Sequence, residues 1–207
     1  EREYSYEKIN ISINQKGFPV PTAQIRSSPL VIDLDDDGDM EIVLGDNNGW
    51  IRVYDHEGIE IENDFFPYDA GGQVWGSAAA ADLDGDDIID FIISSKSKHL
   101  YIFDKNGLKV DYDSGKYLMG TPSIGNLDDD DDLEIVIGGY SAFGEETELN
   151  EVFVINPDGS ELDGFPFVLG EKIKSGIALH DFNDNGKDDL VIGTDDDNLY
   201  VIKDDGT

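Results

Sequence analysis

Short apolar runs alternate with polar turns along the whole chain, and no long window keeps a helical period. Runs such as Ile42-Val43-Leu44 and Trp50-Ile51-Arg52-Val53-Tyr54 are rich in β-branched and aromatic residues, as strands are. Turns that contain glycine, such as Asp46-Asn47-Asn48-Gly49, separate the runs and indicate hairpins. The pattern predicts an all-β protein.

The runs recur as four copies of one unit. The copies are SPLVIDLDDDGDMEIVLG (28–45), SAAAADLDGDDIIDFIIS (77–94), PSIGNLDDDDDLEIVIG (122–138) and SGIALHDFNDNGKDDLVIG (175–193). In each copy an apolar run ends at an anchor residue, and the anchors are Asp33, Asp82, Asn126 and Asp181. Successive anchors are 49, 44 and 55 residues apart. Periods of about 40–50 residues with several short strands are typical of β-propeller blades.

The repeat predicts one domain over 1–207, with four blades of about four antiparallel strands each. The predicted blades span 20–66, 67–118, 119–166 and 167–207. The outer strand is less regular, and in the first blade Ile59-Glu60-Ile61, leading into Phe66-Pro67, is its predicted position. Residues 10–19 show the same pattern and predict an outer strand that completes the last blade. The chain is then either a closed four-bladed ring or part of a larger propeller with seven or eight blades.

Each anchor begins an acidic loop with a regular spacing. Counted from the anchor, positions 1, 3 and 5 are acids or amides and position 9 is an acid. Ca²⁺ takes about 6–8 oxygen ligands, which alternate side chains of a tight loop and one backbone carbonyl at position 7 can supply. The predicted ligands of about four Ca²⁺ ions, one per blade, are Asp33, Asp35, Asp37, Asp39, Glu41, Asp82, Asp84, Asp86, Ile88, Asp90, Asn126, Asp128, Asp130, Asp132, Glu134, Asp181, Asn183, Asn185, Lys187 and Asp189.

Other readings of the loops are weaker. Acidic turns without a cation would bring many carboxylates together without compensation, and four such turns in register make that reading unattractive. An EF-hand needs glutamate at position 12, where this chain has strand residues such as Leu44 and Ile192. Zinc is disfavoured because there is no cysteine and the three histidines are scattered. The fourth loop supplies only two carboxylates, so we expect it to be the weakest site.

Two loops depart from the regular pattern at position 6, where the chain must turn sharply. Gly38 and Gly186 meet this need, whereas Asp87 and Asp131 replace glycine in the second and third loops. Aspartate tolerates the left-handed backbone conformation better than most residues. These two loops are therefore also expected to hold a Ca²⁺ ion.

The charge balance limits the partners. The formal net charge is −33, from 47 acidic and 14 basic residues. Nucleic acids and anionic membrane surfaces need a basic face, so neither is an expected partner. No run approaches the roughly 18 apolar residues of a membrane span. No signal peptide is visible, which fits a mature fragment whose targeting segment was removed.

The phrases SPLVIDLDDDGDMEIVLG and HDFNDNGKDDLVIG closely resemble FG-GAP/VCBS repeats, as found in integrin alpha-chain propellers and many secreted bacterial proteins. The resemblance covers about 10–207 and departs from the family pattern at Asp87, Asp131 and in blade number. It implies calcium loops that stiffen one face of a propeller, with ligands meeting the opposite face. No ligand-binding residue carries over from the family by motif.

A candidate partner surface lies on that opposite face. The 55-residue spacing reflects an insertion, GYSAFGEETELN, that carries Tyr140 and Phe143, and Trp75 lies in a connection on the same side. Aromatic side chains on loops of a rigid scaffold are plausible contacts for sugars or peptides. Packing over the central channel or a neighbouring blade is the simpler explanation for them.

Three functions fit the sequence. The first is a non-catalytic, calcium-binding extracellular or cell-surface module for adhesion or for binding a protein or carbohydrate. The second is the propeller of a secreted polysaccharide-degrading enzyme of the lyase type, which would need a base such as those near Lys96 or Lys172. The third is a structural repeat of a larger surface protein or filament, with self-association as one possibility.

Overall fold

Residues 14–142, 150–204 and 206 are described by the computed structural model, which places sixteen β-strands in this part of the chain. No helix in these residues is long and apolar enough to cross a membrane. All strand pairs are antiparallel, and they form four sheets that follow one another along the chain. The predicted all-β class and its four repeated units are confirmed.

The first two sheets have four strands each, in the order of the chain. The first sheet consists of β1 (Leu30–Ile32), β2 (Glu41–Gly45), β3 (Trp50–Tyr54) and β4 (Tyr68–Asp69). The second consists of β5 (Ala79–Ala81), β6 (Asp90–Ser94), β7 (His99–Asp104) and β8 (Gly107–Asp113). We call each sheet with its loops a blade.

The third and fourth sheets depart from four strands. The third consists of β9 (Tyr117–Leu118), β10 (Ser123–Gly125), β11 (Glu134–Tyr140), β12 (Glu151–Ile155) and β13 (Phe167–Val168). Strand β9 pairs with the far end of β11. The fourth sheet has three strands in the described residues, namely β14 (Ala178–His180), β15 (Asp189–Gly193) and β16 (Leu199–Ile202).

The sequence repeat is reproduced in the pairing register. In every sheet the residue ten positions after the anchor lies opposite the residue three positions before it, as in Leu30↔Val43 and Ala178↔Val191. The next hairpin is also in register, since Gly45 pairs with Ile51 and Gly193 with Leu199. Equal offsets along the chain therefore give equivalent places in the blades.

The outer strand lies later in the chain than predicted. Ile59-Glu60-Ile61 makes only a single bridge, between Glu60 and Tyr54, and the paired strand β4 follows Phe66-Pro67. Ile59 is 61% exposed, whereas Phe66 is 5% exposed and packs on Phe91 and Phe103 of the second blade. Burial of the phenyl ring therefore decides where the chain returns to the sheet edge. The third blade repeats this arrangement, with an isolated bridge at Glu161 and the paired strand β13 after Phe165-Pro166.

The predicted N-terminal strand at 10–19 is only partly described, because 10–13 lie outside the described residues. Residues 14–19 contain no strand, and they contact the first blade instead of the fourth. The Nε2 group of Gln15 donates to the backbone oxygen of His56, and the ammonium group of Lys16 lies 2.8 Å from Glu57. Residues 14–19 therefore form no outer strand of the last blade.

Three hydrophobic cores hold the four sheets together, and each lies between successive blades. The first joins Val43 and Val53 to Phe91 and Phe103, the second surrounds Ile102 and Ile135, and the third surrounds Val154 and Leu190. A closed ring of four sheets would need a fourth core between the last and first blades. No such core occurs in the described residues, so the four sheets form an open, propeller-like arc and not a closed ring.

We expect equivalent leucines to contribute very differently to stability. Leu100 in β7 is completely buried, whereas Leu199 at the same place in β16 is 74% exposed. Leu100→Ala should lower the free energy of unfolding by about 2–5 kcal/mol, because it leaves a cavity in a core. Leu199→Ala should change it by less than about 0.5 kcal/mol. Urea unfolding in dilute solution measures both, and equal losses would contradict the open arc.

Candidate metal centres

The predicted ligands lie on the four loops that join the first and second strands of each sheet: β1 to β2, β5 to β6, β10 to β11 and β14 to β15. We number them loop 1 to loop 4 in chain order and count positions from the anchor. Because the pairing register is the same in all sheets, the loops lie at the same edge of each blade. The structure therefore brings each predicted set of side chains into one turn.

The carboxylate at position 1 holds the turn of loops 1, 2 and 4 together. In loop 1, Oδ1 of Asp33 accepts a hydrogen bond from the N–H of Asp37 at 3.1 Å, and Oδ2 accepts one from Gly38 at 3.0 Å. Asp82 and Asp181 accept the equivalent pair of bonds in their loops. The main chain is thereby curled around the anchor. The acid at position 3 converges with it in loops 1 and 2, whereas Asp37 at position 5 of loop 1 does not belong to the converging group.

Position 6 has a left-handed backbone in three loops, with φ of 92° at Gly38, 64° at Asp87 and 89° at Gly186. Asp87 in loop 2 thus adopts the left-handed conformation that glycine adopts in loops 1 and 4, as expected for aspartate. Asp131 in loop 3 does not adopt a positive φ. Its anchor also differs: the amide of Asn126 donates from Nδ2 to the backbone oxygen of Asp130, and its Oδ1 accepts neither of the two turn-closing bonds.

The acid at position 9 is buried in all four loops, as Glu41, Asp90, Glu134 and Asp189. One oxygen of each accepts a hydrogen bond from the backbone N–H of position 2, over distances of 2.9, 3.4, 2.6 and 3.1 Å in chain order. This bond ties the first residue of the second strand to the start of the loop. The second carboxylate oxygen of Asp90 lies 2.9 Å from the ammonium group of Lys109, and that of Asp189 accepts from Nδ2 of Asn183 at 3.5 Å. Glu41 and Glu134 belong to the converging groups described next.

Carboxylate oxygens converge in three loops. In each of these loops three acids offer one carboxylate oxygen apiece, and the three oxygens lie within 4.8 Å of one another. The three acids are Asp33, Asp35 and Glu41 in loop 1, Asp82, Asp84 and Asp86 in loop 2, and Asp128, Asp130 and Glu134 in loop 3. Ligands on a sphere of about 2.3–2.6 Å radius are at most about 5 Å apart, so this spacing fits one Ca²⁺ ion. The loops could therefore each hold a divalent cation.

An orphaned polar atom supports the fit in loop 3. Oδ1 of Asn126, the predicted ligand at position 1, is buried and has no hydrogen-bond partner. A buried carbonyl oxygen without a partner costs free energy, which coordination of a cation would recover. The side chain thus presents an oxygen to the same interior as the converging carboxylates.

Position 7 was predicted to contribute a backbone carbonyl. The N–H groups of Asp39, Ile88, Asp132 and Lys187 each donate to the side chain at position 5, at 2.8–2.9 Å. These four bonds orient the backbone in the same way in every loop. Coordination by the carbonyl oxygens stays a prediction.

Burial and mutual repulsion shift the acids toward the protonated form. Burial raises the pKa of Glu134 to about 7, and the charges of Asp128 and Asp130 add to the rise. Burial also raises the pKa of Glu41 and of Asp90. A bound cation would oppose these shifts, since an opposite charge favours the ionised form.

Loop 2 already contacts a cation that belongs to the chain. The ammonium group of Lys109, on the outer strand β8, lies 2.9 Å from Oδ1 of Asp90 and 3.1 Å from Oδ2 of Asp84. Asp90 is also absent from the converging group of loop 2, although position 9 belongs to the groups of loops 1 and 3. The lysine therefore neutralises part of this loop without a metal ion.

Loop 4 has the poorest set of charged ligands. Only Asp181 and Asp189 are acidic at its ligand positions, and Asn183 and Asn185 offer neutral amide oxygens. Lys187 points away to the neighbouring loop, with its ammonium group 3.0 Å from Asp129. Hydrogen bonds from the loop amides, that of Gly186 first, lower the pKa of Asp181. The ranking of loop 4 as the weakest site remains a prediction that agrees with this geometry.

Comparison with known proteins identifies the fold. No protein-family model and no curated protein matches the sequence. The chain is similar to a crystal structure of BBS1N in complex with ARL6DN, soaked with lead, with a TM-score of 0.60 and 12% identity over 92% of this chain and 53% of that one. It is also similar to the PilY1 C-terminal domain of Pseudomonas aeruginosa, with a TM-score of 0.56 and 18% identity over 78% of this chain and 38% of that one.

The fold is propeller-like. At these identities the likeness shows the architecture alone. The chain spans about half the length of the BBS1N chain and less of the PilY1 domain.

Of the predicted aromatic contacts, Trp75 and Tyr140 lie at the edge opposite the loops, and Phe143 lies outside the described residues. Trp75 is enclosed by two cations, with Arg26 at 4.4 Å and Lys96 at 4.1 Å from the ring centre, and its indole N–H donates to Asn47. A ligand at this place would meet the two cations as well as the ring.

Tyr140 ends strand β11 and is half-buried. Its ring lies 5.6 Å from that of Tyr117, and its hydroxyl contacts the sulfur of Met119. The ammonium group of Lys174 lies 5.6 Å from the centre of its ring. Both aromatic side chains therefore make intramolecular contacts, and their role in binding a partner stays a prediction.

The three histidines are separate from the converging carboxylates. His99 pairs with Asp111 over 2.5 Å, His180 packs on Phe182, and His56 lies 3.7 Å from Asp39. None of them belongs to an acidic group that could hold a metal among the described residues.

Sequence reasoning missed Lys109 because its position depends on a β-bulge in the outer strand β8. Val110 pairs with Ile102 and Leu108 pairs with Phe103, so Lys109 is the extra residue between them and leaves the regular alternation of the strand. The pairing of β7 with β8 decides where this bulge lies, so the sequence of β8 alone gives no signal for it.

We expect Glu134→Gln to stabilise the cation-free chain. Glutamine can still accept the bond from the N–H of Leu127, and it removes a buried charge whose pKa is raised. Above pH 7 the gain should be about 1–3 kcal/mol, because one pKa unit corresponds to about 1.4 kcal/mol. Urea unfolding in chelator measures it, with Glu62→Gln on the surface as control. A loss of stability would contradict the repulsion inferred for loop 3.

Proposed function

We propose that the chain is a non-catalytic, calcium-binding module of an extracellular or cell-surface protein, with loops of the FG-GAP/VCBS type. The observation that carries this proposal is the convergence of three carboxylate oxygens within 4.8 Å in each of loops 1, 2 and 3. The same turn geometry around the anchor extends the proposal to loop 4.

The donor set favours Ca²⁺ over other common cations. Only oxygen donors surround the loop interiors, in line with a hard cation. Mg²⁺ keeps several water ligands and binds few protein carboxylates, whereas each loop offers up to four side chains. Zn²⁺ would take nitrogen or sulfur ligands, and the histidines lie elsewhere. Calcium is therefore the cation that the proposal assigns.

Bound calcium would stiffen one face of the arc. Neighbouring loops are connected by backbone hydrogen bonds, from the N–H of Leu133 to the oxygen of Leu83 at 2.8 Å and from Asp188 to Asn126 at 2.7 Å. Ordering one loop would therefore also restrain the next. A rigid calcium face leaves the opposite face, with Trp75 and Tyr140, as the surface for a protein or carbohydrate partner at the cell surface.

The basic residues support a non-catalytic role over a lyase. A lyase base would need to be free to take a proton from its substrate. Lys96 donates to Gln73 over 3.0 Å, and Lys174 contacts Asp195. An assay on acidic polysaccharides tests the enzyme, and a glycan array with and without chelator distinguishes a binding module from a structural repeat.

Calcium titration tests the proposal directly. We expect about four ions per chain by calorimetry, and a melting temperature that rises with calcium because the ions bind only the folded state. Asp35→Asn and Asp128→Asn should each remove one ion, whereas Asp113→Asn, outside the loops, should remove none. The weakest ion should be lost in Asp181→Asn. An unchanged melting temperature in excess calcium would refute the proposal.

We further expect Lys109→Met to strengthen calcium binding in loop 2. Calcium must displace the ammonium group from Asp84 and Asp90, and methionine keeps the length of the side chain without the charge. The affinity of one ion should rise by about tenfold, equivalent to about 1.4 kcal/mol. Lys174→Met, at the opposite face, is the matched control. Equal calorimetric titrations for the two variants would exclude Lys109 as a competitor.

A further inference from the structure

The sheet edge opposite the acidic loops is built to one plan in all four blades. The end of the second strand, or the turn after it, pairs with the connection that leads into the first strand of the same blade. The paired residues stand fourteen positions after the anchor and nine positions before it. They are Asn47 and Gln24, Lys96 and Gln73, Tyr140 and Tyr117, and Asp195 and Lys172. We call these turns and connections the opposite edge.

Trp75 and the two cations beside it form the first of two clusters at the opposite edge. The guanidinium group of Arg26 and the ammonium group of Lys96 lie 4.4 and 4.1 Å from the centre of the indole ring. The indole N–H donates to the side chain of Asn47 at 2.9 Å. Tryptophan attracts cations to its face more strongly than the other aromatic residues do. The ring, held by its bond to Asn47, therefore positions the two charges.

Neither of these two cations forms an ion pair in the described part of the chain. Arg26 is exposed, and Lys96 donates to the neutral Oε1 atom of Gln73 at 3.0 Å. Lys109 and Lys187, in contrast, contact carboxylates at 2.9 and 3.0 Å. A chain with 47 acidic and 14 basic residues thus leaves two neighbouring positive charges without a carboxylate. A carboxylate of a ligand would fit between them.

The second cluster repeats the combination of rings and cations further along the arc. The rings of Tyr117 and Tyr140 lie 5.6 Å apart. Lys98 lies 4.9 Å from the centre of the first ring, and Lys174 lies 5.6 Å from the centre of the second. Lys96 and Lys98 belong to one turn, so the two clusters are neighbours. Cations and half-buried rings therefore follow one another along the opposite edge.

The chemistry of the opposite edge favours a saccharide over a protein partner. A protein interface has an apolar centre that becomes buried. Among the described residues, none of the exposed large hydrophobic side chains belongs to the turns and connections of this edge. The side-chain amides of Asn47 and Gln73 lie there instead, and they can both donate to and accept from the hydroxyl groups of a sugar.

We propose that the opposite edge binds an acidic polysaccharide whose sugar units carry carboxylates, a polyuronate, and that Arg26 and Lys96 share one of these carboxylates. The planar guanidinium group of Arg26 can donate two parallel hydrogen bonds to it. Lys98 and Lys174 contact a later carboxylate of the same polymer, and the linkage between the two carboxylates strengthens binding. The inference rests on the proposed function in placing a partner at this edge, and it names the chemistry of that partner.

The formal net charge of −33 opposes the approach of a polyanion. The converging acids of the loops, however, lie at the other ends of the strands. Strands such as β6, with five residues, separate the two edges by roughly 16 Å. This distance is about two Debye lengths at an ionic strength of about 0.15 M, so the distant repulsion is largely screened. Contacts within the clusters are much less affected, and we expect binding at this ionic strength.

Fluorescence anisotropy of labelled oligosaccharides with the full chain tests the proposal. The probes are short fragments of alginate, polygalacturonate and hyaluronan, each compared with its carboxyl-reduced form in calcium-saturated buffer. At least one acidic fragment should bind, and its neutral form should not. Arg26→Gln and Lys96→Gln should each weaken binding about tenfold, since each removes a charge-assisted hydrogen bond.

Two further variants distinguish a built site from general attraction between charges. Trp75→Leu removes the ring but no charge, and it should also weaken binding because the two cations lose the group that positions them. Lys16→Gln removes one positive charge from an exposed place on the first blade, and it is the matched control that should bind like the wild-type chain. The melting temperature of each variant in calcium shows whether it is folded.

Each outcome decides the proposal. Failure of all three acidic fragments to bind, equal binding of the carboxyl-reduced forms, or an equal loss in Lys16→Gln would overturn it. Tighter binding of polyglutamate than of any oligosaccharide would also overturn it, in favour of an acidic protein. Asp35→Asn should lose one calcium ion in calorimetry and keep its affinity for the oligosaccharide. A failure of calcium binding and a failure of polyuronate binding are therefore separate results.

Discussion

A small β-sheet has two faces, and it cannot bury its apolar face against itself. In this chain each sheet solves the problem by packing on the next, so the cores lie between blades and not within them. Phe66 shows how strict this requirement is, because it leaves its own blade to pack on Phe91 and Phe103 of the second. The positions of the outer strands, the three cores and the exposed surfaces at the two ends all follow from this one constraint.

Hydrogen bonds within the acidic loops offset part of the repulsion between their carboxylates. A turn with several carboxylates is repulsive, and burial of Glu134 makes it more so. The anchors and position-9 acids direct part of their negative charge onto backbone N–H groups, which fixes the turn before any cation binds. These hydrogen bonds shape the loop, and the converging carboxylate oxygens face its interior.

Local patterns predicted the repeated parts of the structure well. The spacing of anchors placed the strands that flank Asp33 or Asp181, and alternate acids located the loops, because both depend on contacts within one blade. Features that depend on contacts between blades or on the outer strand were not predictable in this way. The outer strand after Phe66 was placed too early, since its position is decided by a core in the next blade. Lys109 was missed because it stands at a β-bulge of the outer strand, whose place is set by the pairing of β7 with β8.

The enclosure of Trp75 has a practical consequence for following the unfolding of this chain. Its two tryptophans, Trp50 and Trp75, both belong to the junction of the first and second blades. Intrinsic fluorescence therefore monitors one end of the arc, whereas circular dichroism averages over all strands. In a repeat array with nearest-neighbour contacts, the ends can separate from the middle as cooperativity weakens. Comparing the two signals would reveal whether the arc melts as one unit or blade by blade.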